Sequence, residues 1–256
     1  MGFLDFSILG TWDGLVYLVI LTLLEIVLGI DNIIFISIVS DRLPKDQRRK
    51  ARNIGLTLAL VARLALLSGV ALLMKLTQPL LPDEWDVQMT GQGLVLLAGG
   101  LFLIYKSTIE MHKTIKGDEE EMNTSKKVTL SQVIVQIILV DIVFSFDSII
   151  SAIGMTNDLQ RQTGANPMVI IYVAVIISMI MMLIFAKQIA EFISERPTIK
   201  MLALSFLVVI GVILVAEAFG EHVPKGYVYF ALVYSLIVEM LNIRMRKKSK
   251  NEAANK

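Results

Sequence analysis

Two acidic decapeptides, 116 positions apart, hold the residues most capable of chemistry in this chain of 256 residues. The first reads Glu25-Ile26-Val27-Leu28-Gly29-Ile30-Asp31-Asn32-Ile33-Ile34. The second reads Asp141-Ile142-Val143-Phe144-Ser145-Phe146-Asp147-Ser148-Ile149-Ile150. In each copy an acid is followed six positions on by an Asp, with a tiny residue between them and an amide or hydroxyl directly after. Carboxylates joined by neutral oxygen donors suit hard divalent ions such as Mn²⁺, Mg²⁺ or Ca²⁺. Glu25, Asp31, Asn32, Asp141, Asp147 and Ser148 are therefore the candidate metal ligands. Each copy also sits in an apolar run long enough to cross a bilayer, where one carboxylate costs roughly 2.5 to 3.5 kcal/mol even on lenient insertion scales. A sequence under no functional demand would shed four such residues.

In a regular helix, residues six apart differ in direction by about 240°, so Glu25 and Asp31 would not share a face. A break at Gly29 and at Ser145 is expected to turn the second acid of each copy toward a common centre, as in discontinuous transporter helices. Two other readings stand beside the ion site: a structural network locked to Arg63, and a chain of proton carriers without metal. Arg63, inside the second apolar run, is the expected counter-charge when no ion is bound. Glu217 and Glu239 are either proton relays or interfacial residues. His112 and His222 read as solvated loop histidines, and Asp118-Glu119-Glu120-Glu121 as a solvated cytoplasmic run. Met179, Met181 and Met182 read as packing rather than soft-metal ligands.

The elements that must position these residues are membrane helices. The chain is 55% apolar with a mean hydropathy of +0.69. Asp5 and Asp13, with no Lys or Arg in the first thirteen residues, argue against a signal peptide. The absence of Cys excludes disulfides and thiolate metal sites. Seven apolar runs lie near 14–40, 54–76, 91–107, 129–154, 167–187, 200–219 and 226–243, each about the 20 residues that a spanning helix needs. The alternate connections on one side, with the C-terminal tail, carry 20 Lys and Arg, against only Lys75, Arg161 and Lys225 on the other. The positive-inside rule then puts the N-terminus outside and the tail in the cytoplasm.

The decapeptides sit in the first and fourth apolar runs, three spans apart and hence an odd number, so the copies run in opposite directions across the membrane. The expected architecture is all-α and polytopic. It comprises one membrane domain over 1–256, with two inverted three-helix repeats, about 14–107 and 129–219, and an extra helix at about 226–243. Such repeats place their site at the bilayer midplane. A looser echo aligns Gly99-Gly100-Leu101-Phe102-Leu103-Ile104 with Val209-Ile210-Gly211-Val212-Ile213-Leu214. Trp12, Trp85, Tyr105, Tyr227 and Tyr229 fall where interfacial aromatic belts are expected.

The doubled motif, with Gly99-Gly100-Leu101-Phe102-Leu103, Lys200-Met201-Leu202-Ala203-Leu204-Ser205-Phe206 and His222-Val223-Pro224-Lys225-Gly226-Tyr227, resembles the TerC family of integral membrane proteins. The likeness covers essentially the whole membrane region and is strongest to a bacterial inner-membrane branch of that family. The family was named for tellurium resistance, and members are associated with manganese efflux and metal homeostasis. The resemblance implies that the six candidate ligands form the metal path. Some relatives carry a cytoplasmic regulatory region after the membrane domain, so the resemblance implies that such regulation is absent here or comes from another protein.

The expected function is thus export of a divalent cation, Mn²⁺ first and Ca²⁺ or Mg²⁺ after it, by exchange with protons across the bacterial inner membrane. The rivals are a membrane subunit that delivers metal to secreted enzymes and a transporter of another substrate linked to tellurium resistance. No enzymatic activity, no prosthetic group and no nucleic-acid partner are expected. The expected partners are the lipid bilayer, the cation and protons, with a homo-oligomer left open.

Overall fold

A computed structural model describes residues 6–69, 76, 90–116, 128–164, 166–221 and 223–254. The fold is all-α. A 3-10 turn at Phe6–Gly10 precedes seven helices: α1 Trp12–Ser40, α2 Lys45–Ser68, α3 Gly91–Lys116, α4 Leu130–Thr163, α5 Met168–Ser194, α6 Pro197–Ala218 and α7 Lys225–Ala254. All seven contain a stretch long and apolar enough to cross a membrane.

Local chemistry sets the helix starts and stops. The Thr11 hydroxyl accepts from the Gly14 amide at 3.1 Å and caps α1. Thr129 and Gln132 form a reciprocal capping box at the start of α4. Gly164 ends that helix at φ 68°, a left-handed conformation that favours glycine. Pro197 sits in the first turn of α6, where its missing N–H leaves no bond unmade.

Most helices run beyond the apolar stretches that mark them in the sequence. The second begins at Lys45 rather than near 54, α3 continues to Lys116 rather than 107, α4 to Thr163 rather than 154, and α7 to Ala254 rather than 243. Hydropathy reports only the part in lipid. The same backbone hydrogen bonding that the bilayer enforces can continue for several turns beyond it.

The helices pack in three principal pairs, α1 on α5, α2 on α4 and α3 on α6, and the two motif helices α1 and α4 also touch. This pairing is unchanged when α1, α2, α3 are exchanged with α4, α5, α6. The buried residues of α2, from Ala51 to Leu67, each have a buried counterpart 119 positions on in α5, from Ile170 to Ala186. Arg63 falls opposite Met182 in that register. The α3–α6 contact is reciprocal: a Cβ on Gly100 would stand 2.6 Å from the Gly211 carbonyl oxygen, and one on Gly211 would stand 2.9 Å from the Gly100 carbonyl oxygen. Gly100 also faces Val215, and Gly211 faces Ile104. Gly100 therefore matches Gly211, one residue away from the alignment that the sequence echo suggests. Helix α7 stands apart, with 11% of its spanning stretch buried against 50% for α1 and α5.

Candidate functional site

The first acid of each decapeptide belongs to a closed ion-pair cluster. Arg63, on α2, donates from Nη1 to Glu25 Oε2 at 2.7 Å and from Nη2 to Asp141 Oδ1 at 3.1 Å. Its Nε donates to Ser145 Oγ at 2.8 Å, and that hydroxyl donates to Asp141 Oδ2 at 3.1 Å. The neutral donors follow each acid by seven residues, two turns on and within about 20° of the same direction. Asn32 therefore reaches across the repeat, its Nδ2 donating to Asp141 Oδ1 at 3.0 Å, while Ser148 lies beside Glu25. Arg63, Glu25, Asp141, Asn32, Ser145 and Ser148 are all buried. Glu25 Oε1 and Asn32 Oδ1 are buried acceptors without a hydrogen-bond partner. A cation is the ligand that such oxygens suit.

The second acids are elsewhere. Both α1 and α4 run unbroken through their motifs, so the expected break is absent and the 240° offset is kept. The small residues serve contact instead. A Cβ on Gly29 would meet Met182 Sδ at 2.4 Å, and Ser145 binds Arg63. Asp31 and Asp147 turn to a separate cavity, which they line with Leu28 and Phe144 three residues before them, with Ile210, Ile213 and Leu214 of α6, and with Tyr229 of α7. The Tyr229 hydroxyl donates to Asp31 Oδ2 at 3.4 Å, and Glu217 is close enough to Tyr229 to act on it electrostatically.

One shell of four carboxylates is thus replaced by two tiers. Among the described residues, no three acidic or histidine side chains converge closely enough to cage a metal. The cause is physical: four carboxylates inside one bundle repel one another, Arg63 neutralises two of them, and unbroken helices point the other two away.

Of the remaining candidates, Glu239 accepts from Asn242 Nδ2 at 3.4 Å within its own helix. It lies ten residues, about 15 Å, along α7 from Tyr229. His112 is exposed near the end of α3. Met179 and Met182 are buried packing residues, and Met181 is half-exposed. Trp12, Tyr105 and Tyr227 are exposed, as belt residues should be. Tyr229 is not one of them, because its hydroxyl points inward to Asp31. His222, Trp85 and the acidic run at 118–121 lie outside the described residues.

Sequence reasoning missed three groups. Ser145 replaces the Gly29 of the first copy, and that hydroxyl was the available signal. Tyr229 falls on one helical stripe with Leu232 and Leu236, whereas Tyr227 and Phe230 do not, and that periodicity could have marked it. The ion pair of Arg42 with Glu110, which ties the end of α1 to α3, joins residues too distant in the chain for any pattern to link.

The family model described as "Integral membrane protein TerC family" matches residues 10–254. A Haemophilus influenzae protein named "UPF0053 protein" is 47% identical over 93% of this chain and 97% of its own length. The Escherichia coli "UPF0053 inner membrane protein YgdQ" is 47% identical over 90% of this chain and 92% of its own length. The longer E. coli "UPF0053 inner membrane protein YoaE" is 44% identical over 90% of this chain and 42% of its own length. No solved structure matches.

Proposed function

The chain belongs to the integral membrane protein TerC family, and from that premise we propose that it exports a divalent cation, with Mn²⁺ as the cargo, through the cavity shared by Asp31 and Asp147. The observation that carries this reading is the meeting of those two carboxylates, one from each copy of the doubled motif, on one cavity. Their paired negative charge suits a dication, and the surrounding donors are all oxygen.

The first tier holds the site in place. Arg63 fixes Glu25 and Asp141 and so pins α1 to α4. Moving two charges outward against about 100 mV, negative inside, costs roughly 4.6 kcal/mol. The sequence contains no Walker phosphate-binding loop, so protons are the proposed counter-ion. Asp31 and Asp147 release metal outside, take up protons there, and give them up inside.

We read α1–α3 and α4–α6 as inverted repeats, with the N-terminus outside. Support comes from the exchange-invariant helix pairing, from the reciprocal Gly100–Gly211 contact, and from the crossed placement of Asn32 and Ser148. Residence in the inner membrane follows the names of the relatives.

Metal uptake by the purified protein in sealed proteoliposomes, comparing Mn²⁺, Ca²⁺, Mg²⁺ and Zn²⁺, tests the proposal. Mn²⁺ should move without any partner protein and faster than Zn²⁺, because the cavity offers no thiolate or imidazole. Preference for Zn²⁺ would overturn the oxygen site. No movement of any ion would favour a delivery subunit.

A further inference from the structure

We propose that Tyr229 is a gate: its ring closes the Asp31–Asp147 cavity at the end where α6 stops and α7 begins, and it opens when a divalent cation takes Asp31 Oδ2. This rests on the cation-site reading above and adds a residue outside both repeats. Helix α7 barely joins the bundle, and Tyr227, Phe230 and Tyr234 on its outer side are 76%, 73% and 61% exposed. Tyr229 alone among these aromatics turns in, and it lines the cavity together with Leu28 and Phe144. Docking a peripheral helix needs only the apolar residues below it, Leu232 and Leu236. A phenol aimed at a carboxylate is not explained by docking.

The contact is built to be released. A hydroxyl on a carboxylate usually sits at about 2.5 to 2.7 Å, and the Tyr229 hydroxyl stands 3.4 Å from Asp31 Oδ2. Cargo and phenol want the same oxygen. A dication bound there displaces the hydroxyl and frees the ring to swing, so that occupancy and opening are one event. The charge-derived topology makes this the outer gate, as an exporter requires.

The chain contains no cysteine, so a single Ile213→Cys in the cavity wall reports access without background. It would be labelled with a membrane-impermeant thiol reagent from each face of sealed vesicles, without metal and with Mn²⁺. Without metal, labelling from the outer face should be slow in the parent and about five-fold faster with Tyr229→Phe, which loses only the hydrogen bond. Tyr229→Ala should be faster still. Mn²⁺ should accelerate the parent and leave Tyr229→Phe unchanged. Equal metal-free rates in the parent and Tyr229→Phe would overturn the gate, even if Tyr229→Ala failed to fold. Equal acceleration of a lipid-facing Val233→Cys would also overturn it, since α7 would then be loosening as a whole. Fast labelling of Tyr229→Phe beside a parent that ignores Mn²⁺ would contradict the cation reading beneath the gate and leave the occlusion intact.

Discussion

The two acids of each decapeptide are six residues apart and end in opposite surroundings. Glu25 and Asp141 are sealed around a guanidinium with hydrogen bonds of 2.7 to 3.1 Å. Asp31 and Asp147 face a cavity walled largely by apolar side chains and bordered by Tyr229, whose hydroxyl stands 3.4 Å from Asp31 Oδ2. The same motif thus yields a fixed tier and an open one, and an unbroken helix of 3.6 residues per turn is what separates them. In the first tier the two carboxylates are neutralised by one guanidinium, whereas in the second they border a cavity.

Removing the cation of the fixed tier should have the largest effect. Arg63→Met, which copies Met182 at the corresponding place in α5, leaves two buried carboxylates without a counter-charge. It should lower stability by about 3 to 5 kcal/mol, read as a lowered unfolding temperature in detergent and a smaller amount in the membrane. Adding Glu25→Gln and Asp141→Asn to the same chain should recover most of that loss. A tolerant Arg63→Met single variant would show that the first tier is not fixed.

An intermediate effect should come from the wall of the open tier. A methyl group on Gly100 would stand 2.6 Å from the Gly211 carbonyl oxygen, so Gly100→Ala must push α6 away and move Ile210, Ile213 and Leu214 with it. The expected loss is about 1 to 3 kcal/mol, accompanied by slower Mn²⁺ transport, while the Arg63 cluster is left unchanged. Unchanged transport at reduced stability would separate the α3–α6 contact from the cavity.

The smallest effect is expected at Ser145. Ser145→Ala removes an acceptor from Arg63 and a donor to Asp141 but leaves both ion pairs, for a loss of about 1 to 2 kcal/mol. Ser145→Gly, which copies the first decapeptide, should behave alike. A loss as large as that of Arg63→Met would move the centre of the fixed tier from the guanidinium to the hydroxyl.

How much of this was readable beforehand follows from what each signal measures. Hydropathy located all seven helices because the bilayer demands about 20 apolar residues of each. It could not give the start of α2, where Arg48, Arg49 and Lys50 carry the helix beyond its apolar stretch. The repeat identified Glu25, Asp31, Asp141 and Asp147, yet it could not say that they divide, because that depends on whether Gly29 and Ser145 break their helices. Met182 packs against Gly29 and Arg63 binds Ser145, and these contacts come from α5 and α2, far along the chain. Tyr229 was read as a belt residue from its place near a helix end. The direction in which α7 docks turns it inward, and the stripe it shares with Leu232 and Leu236 was the one local sign of that. The Gly100–Gly211 match was missed by one position because a weak echo tolerates a slip that a carbonyl contact does not.

If Asp31 and Asp147 form one site, Mn²⁺-dependent stabilisation of the native state reads it most directly. Unfolding temperatures with and without Mn²⁺ would be compared for the parent, Asp31→Asn, Asp147→Asn and the double variant. Each single variant should fold about as stably as the parent without metal, because Asn keeps the size of the side chain and an oxygen that can accept. Each should lose the Mn²⁺ shift entirely, and the double variant should lose nothing more, because residues acting as a unit are not additive. Partial shifts in the singles that add to the full loss in the double would contradict the shared site and divide it into two independent ones.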